Sequence, residues 1–151
     1  MTVSNTTPVP LPGQAVDLAL DELHEGHEAV FSWKAESGAI DSFASLSGDL
    51  NPLHMNGDYA IEHGYEGRVV HGFLLGARLS GLIGMALPGR RCLLVEETLS
   101  FPAPVYIGDT VVFHAVIDGV HRELSLVMLK ISAKKMNQTV LRGRVTCKLL
   151  F

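Results

Sequence analysis

The segment Phe73–Leu87 (FLLGARLSGLIGMAL) constrains this chain most. Its apolar residues spread nearly all round a helical wheel, so a helix over Gly72–Leu87, closed by Pro88-Gly89, needs burial on most of its sides. Arg78, Ser80 and the glycines at 76, 81 and 84 interrupt it, and it is too short to cross a bilayer. Gly72, Gly76, Ser80 and Gly84 recur every four positions. Such a stripe lets another backbone come close, as when a sheet wraps around a central helix.

The rest of the chain supplies that sheet. After Gly89 the hydrophobic period changes from helical to alternating. Leu93, Val95, Leu99 and Phe101 alternate on one strand, and Val111, Phe113, Ala115 and Ile117 on the next. Two more strands follow at Glu123–Lys135 and Thr139–Phe151, the last with Leu141, Val145, Cys147, Leu149 and Phe151 on one face. Asn137-Gln138 reads as a hairpin turn and Asp118-Gly119 as a bulge or turn. Upstream, Glu28–Glu36 has the alternation of a first strand. Ser37 can cap a helix carrying Ile40, Phe43, Ala44 and Leu46, ended by Gly48. Asn56 can cap another short helix through Glu62, stopped by Gly64. This order describes one α+β domain over 21–151, preceded by a loose tail over 1–20. A single sheet around one helix leaves an edge exposed, and a dimer joined through sheet edges is a natural remedy.

A formal net charge of −4 and the absence of a Lys/Arg-rich run argue against nucleic acid as a partner. The polar, Pro-rich start lacks the pattern of a secretory signal, and Cys92 and Cys147 form no CxxC. Free thiols in a reducing cytoplasm are the expectation.

Candidate chemistry lies in Ser47-Gly48-Asp49-Leu50-Asn51-Pro52-Leu53-His54. Fully stretched, the five residues from Asp49 to His54 would span roughly 17 Å. Gly48 and Asn51-Pro52 permit a bend that brings carboxylate and imidazole onto one water molecule. One group can take a proton from water while the other helps deliver one to carbon. The plainer alternative is that Asp49 caps the next turn and His54 is an ordinary loop residue. The second feature is Val70-His71-Gly72 at the start of the long helix, where backbone N–H groups lack partners. The Gly72 N–H can polarise a substrate carbonyl and stabilise the oxyanion that forms there. Gly72 can equally serve close packing of the helix. Ser80, two turns on, is expected as a buried hydroxyl. The other histidines are scattered without a third ligand beside His24 and His27, so no metal is expected. No nucleotide or dinucleotide loop appears.

Together these residues resemble the MaoC-like family of hot-dog-fold proteins, in particular its R-specific 2-enoyl-CoA hydratases. That family's loop S-x-D-x-N-P-x-H is filled by Ser47, Asp49, Asn51, Pro52 and His54. Its I/V-V/A-H-G segment is met by Val69, Val70, His71 and Gly72, and its F-x-x-P-V-x-x-G-D by Phe101, Pro104, Val105, Gly108 and Asp109. Gly67 and Arg68 depart from some relatives, which bears on substrate entry. The resemblance implies a curved antiparallel sheet around a central helix, usually dimeric, acting without cofactor on acyl-CoA or acyl-carrier-protein thioesters. It implies Asp49 and His54 as the catalytic pair, with Gly72, Ser80, His71 and Asn51 around the substrate. A hot-dog thioesterase and an inactive acyl-thioester binding subunit are the competing readings.

Overall fold

A computed structural model describes residues 13–151. Its sheet has five antiparallel strands: β1 (Glu28–Lys34), β2 (Cys92–Ser100), β3 (Thr110–His121), β4 (Leu126–Lys135) and β5 (Gln138–Leu149). They lie in the order β1-β3-β4-β5-β2. Four helices, α1 (Ser37–Ser47), α2 (Pro52–Met55), α3 (Gly57–Glu62) and α4 (Gly72–Met85), fill the crossover between β1 and β2. Helix α4 touches β1, β3 and β2, which include both edges of the sheet. One 14-residue helix can reach both edges only if the sheet curls around it. This is the hot-dog arrangement.

The core follows the alternation. Val111, Phe113, Ala115 and Ile117 of β3 and Leu141, Val145, Cys147 and Leu149 of β5 face Leu74, Leu75, Leu79, Leu82 and Ile83 of α4. Asp118-Gly119 is a bulge, since pairing with β4 shifts between Ile117 and Gly119. Gly143 lets β5 and β2 approach closely: a Cβ there would stand 2.0 Å from the Thr98 carbonyl oxygen.

Several expectations need correction. The hairpin loop is Met136-Asn137 rather than Asn137-Gln138, because Gln138 already pairs with Lys135 and Met136 takes the positive φ of 50°. Helix α1 begins with Ser37 instead of being capped by it, and its Leu46 points to solvent while Ile40 and Ala44 are buried. Leu46 sits two-thirds of a turn beyond the buried stripe at the 100° helical period. Phe151 lies past the end of β5 and is exposed. Helix α4 is buried on one side only, with Phe73, Ala77 and Ser80 on its open side. The expectation of burial for Ser80 therefore fails within the single chain. The tail assigned to 1–20 falls partly outside the described residues. From Val16 onward it is tied to the end of α4, through Val16 N–H to the Met85 carbonyl and Arg90 N–H to the Val16 carbonyl.

Candidate active site

The loop between α1 and α2 is folded by its own side chains. Gly48 ends α1 with a φ of 76°, a conformation that favours glycine. The Ser47 hydroxyl donates to the Phe43 carbonyl and accepts from Asp49 N–H. Asp49 Oδ1 accepts from Asn51 N–H at 3.2 Å, and Asn51 Oδ1 accepts from Leu53 N–H at 2.9 Å. Pro52 then opens α2 in the first-turn position, where its missing N–H costs nothing. These nested turns bend the chain within five residues.

Asp49 Oδ2 and His54 Nε2 lie 4.0 Å apart as a result. His54 Nδ1 is 2.7 Å from the Val69 carbonyl oxygen. A carbonyl only accepts, so Nδ1 carries the hydrogen and Nε2 keeps its lone pair on the side of Asp49. At this separation the two groups are too far apart for a direct hydrogen bond. An oxygen about 2.8 Å from each fits between them.

The three sequence motifs support one another through the backbone. Val70 N–H donates to the Val105 carbonyl at 2.8 Å, which fixes the segment leading into α4. The turn after Val105 is held by Asp109 Oδ2, which accepts from Tyr106 N–H and pairs with Lys135. Val69, positioned this way, presents the carbonyl that orients His54. Gly72 follows as the first residue of α4 and lines a cavity with His54, Leu53, Tyr65 and Pro104. As a first-turn residue its N–H has no intrahelical acceptor. A Cβ on Gly72 would meet the Phe101 ring at 3.3 Å.

Phe101 lines both of two cavities, one of which contains His54 and the other Asp49. The smaller, of about 410 Å³, contains Gly72 and His54. The larger, of about 670 Å³, contains Asp49, Ser47, Phe43, Gly76, Glu97 and Leu99, with Phe73, Ala77 and Phe101. A further groove of about 700 Å³, lined by Thr98, Lys130, Arg142 and Arg144, contains none of the proposed site groups.

Of the remaining predicted site residues, His71 is 1 % exposed and lines neither cavity. Its ring stacks on His54 with centroids 3.9 Å apart, and its Nε2–H donates to the Asp49 carbonyl at 3.0 Å. Its Nδ1 is buried without a partner among the described residues. Asn51 is spent on capping α2, and Ser80 lines neither cavity. Asp49, His54 and His71 each offer one ligand atom within 4.8 Å of the others. His71 Nε2 is already engaged by the Asp49 carbonyl. The set suits a cation poorly.

Arg68 and Glu97 take places that sequence reasoning did not assign to them. Arg68 Nε–H donates to the His54 carbonyl at 2.6 Å while its guanidinium pairs with Asp41 at 2.5 Å. It clamps the loop and lines neither cavity. Its place beside the V-V-H-G segment was the available signal. Glu97 enters the larger cavity because it pairs with buried Val145 across the sheet. Alternation puts it on the face of Leu99.

Comparison with known proteins matches residues 13–138 to the MaoC like domain model. The (R)-specific enoyl-CoA hydratase of Rhodospirillum rubrum is 33 % identical over 126 residues, covering 83 % of this chain and 88 % of that one. The (R)-specific enoyl-CoA hydratase of Aeromonas caviae is 37 % identical over 94 residues, covering 62 % and 70 %. Among solved structures, the (R)-hydratase from A. caviae superposes with a TM-score of 0.81 at 30 % identity, over 84 % of this chain and 97 % of that one.

Proposed function

Because the chain belongs to the MaoC-like domain family, we propose that it adds water across the double bond of a trans-2-enoyl thioester to give the R-3-hydroxyacyl product, or runs the reverse dehydration. The observation that carries this reading is the 4.0 Å gap between Asp49 Oδ2 and His54 Nε2, beside the first N–H of α4.

In the hydration direction the thioester oxygen accepts from Gly72 N–H. Water between the pair donates one hydrogen to Asp49 and loses the other to His54 Nε2. Its oxygen bonds to the β-carbon, and the π electrons move through the α-carbon onto the carbonyl, where the Gly72 amide and the helix end stabilise the enolate. The imidazolium is neighboured by the Asp49 carboxylate and hands its proton to the α-carbon, which restores the resting enzyme. His71 and Arg68 touch no reacting atom in this scheme. They hold the backbone of Asp49 and His54 in place and are positioning residues. That assignment replaces the expectation of His71 and Asn51 as substrate contacts.

CoA and acyl-carrier-protein thioesters both suit the chemistry. Strand β2 has one free edge and exposes Leu93, Leu94 and Val95, and Phe73 on the neighbouring helix is 82 % exposed. We propose a homodimer that covers this surface. No helix among the described residues is long and apolar enough to cross a membrane. Cys92 and Cys147 are unpaired thiols, as a reducing compartment such as the cytoplasm would keep them.

Purified protein mixed with crotonyl-CoA should cause loss of the conjugated enoyl absorbance without release of free thiol. Thiol release in its place would assign a thioesterase. Binding without either change would assign an acyl-thioester carrier.

A further inference from the structure

Glu97 is a charged side chain in an otherwise apolar part of the larger cavity. Its partner across the sheet is Val145, a core residue, and cross-strand partners share a face. The side chain accordingly lies on the sheet face that carries α4, although the residue is exposed in the single chain. A Cβ on Gly76 would lie 3.6 Å from Glu97 Oε1 and 3.6 Å from Leu99 Cδ1, so the carboxylate rests against the helix one turn beyond Gly72. Among the described residues no cation or hydrogen-bond donor pairs with it. Burial pushes its carboxyl above the usual carboxylate range. The other polar side chains of this cavity are occupied: the Ser47 hydroxyl by the Phe43 carbonyl, and Asp49 by the catalytic arrangement proposed above.

The course of the acyl chain follows from the site. With the thioester oxygen at Gly72 and the β-carbon at the water held by Asp49, carbons beyond the β-carbon continue on the side of Asp49. That side is the larger cavity, which runs along α4 past Phe73, Gly76 and Ala77 toward Glu97. We infer that Glu97 is a specificity-determining residue that limits the enzyme to short acyl chains, by placing a carboxylate where the carbons of a longer chain would have to lie. This rests on the hydratase reading. A methylene that finds an apolar wall gains about fourfold in binding. One that meets a carboxylate forfeits that gain and strips water from the charge without replacing it.

The test compares kcat/KM for crotonyl-CoA, 2-hexenoyl-CoA and 2-octenoyl-CoA in wild type, Glu97→Gln and Glu97→Leu. Wild type should turn over octenoyl-CoA at least tenfold less efficiently than crotonyl-CoA. Glu97→Leu should raise the octenoyl-to-crotonyl ratio tenfold or more. Glu97→Gln keeps the shape, guards against a folding defect in the leucine variant, and should raise the ratio by a smaller factor. A ratio unchanged in both variants, or a wild type that prefers octenoyl-CoA, overturns the inference and leaves hydration standing. A uniform KM change at every chain length would show that the thiol arm, not the acyl chain, passes Glu97, and also overturns it. Absence of turnover with all three substrates would instead remove the hydratase reading.

Discussion

Replacing His71 separates positioning from chemistry, because this ring reaches the loop of Asp49 without entering either cavity. Its Nε2–H donates to the Asp49 carbonyl, and its face packs between Phe43 and His54 with centroid distances of 5.0 and 3.9 Å. His71→Leu keeps most of the buried volume and removes the donor. A neutral hydrogen bond of this kind contributes about 1 kcal/mol net, and the stranded carbonyl adds about 1–3 kcal/mol if water cannot reach it. Stability should fall by about 1–3 kcal/mol, which a denaturant melt resolves. For the reaction, 1 kcal/mol of lost restraint corresponds to about a fivefold drop in correctly placed Asp49, and a displacement near 1 Å can cost about a hundredfold. His71→Gln can place an amide N–H near the same point. The expected order of kcat is wild type, then Gln, then Leu, with a loss of about 10- to 100-fold in Leu and KM changed far less. If His71→Leu retains wild-type kcat, or if Gln and Leu fall equally, the positioning argument fails.

Other substitutions probe neighbouring parts of the account. Gly72→Ala should lower kcat/KM about tenfold or more with little change in melting temperature, because its methyl crowds Phe101 at 3.3 Å beside the proposed carbonyl donor; an unaltered rate with enoyl-CoA would contradict this. Arg68→Ala should reduce kcat severalfold through the freed His54 carbonyl, whereas Asp41→Ala, which removes only a partly exposed ion pair worth about 0–1 kcal/mol, should do much less, as steady-state kinetics on both will tell. Gly143→Ala should prevent stable folding or cost several kcal/mol by circular-dichroism melting, since its Cβ would overlap the Thr98 carbonyl; a melt within about 1 kcal/mol of wild type is incompatible with the strand spacing described.

What could be read from the sequence was what local chemistry dictates. The bend from Gly48 to His54 followed from a glycine, an asparagine and a proline in a row of turn formers, and the structure shows each using its side chain or conformation as that chemistry requires. The burial of alternate residues in β3 and β5 was equally legible, because neighbouring strands flank both. β2 was less so. It is an edge strand, its register shifts between Leu94 and Glu96, and alternation there does not separate inside from outside. Ser80 was misjudged for a related reason: the apolar wheel of α4 suggests burial all round, yet one chain covers only one side. Contacts such as Arg68 to His54 join residues 14 apart through a backbone carbonyl, which carries no side-chain signature.

The account rests on Asp49 and His54 acting on one water as a unit, and a double-substitution cycle tests that directly. Asp49→Asn and His54→Ala are each expected to lower kcat on crotonyl-CoA by about 10²- to 10⁴-fold, and the double variant to be little worse than the poorer single one. Losses that multiply, or a single variant that retains the wild-type rate, would contradict a shared water between the two side chains.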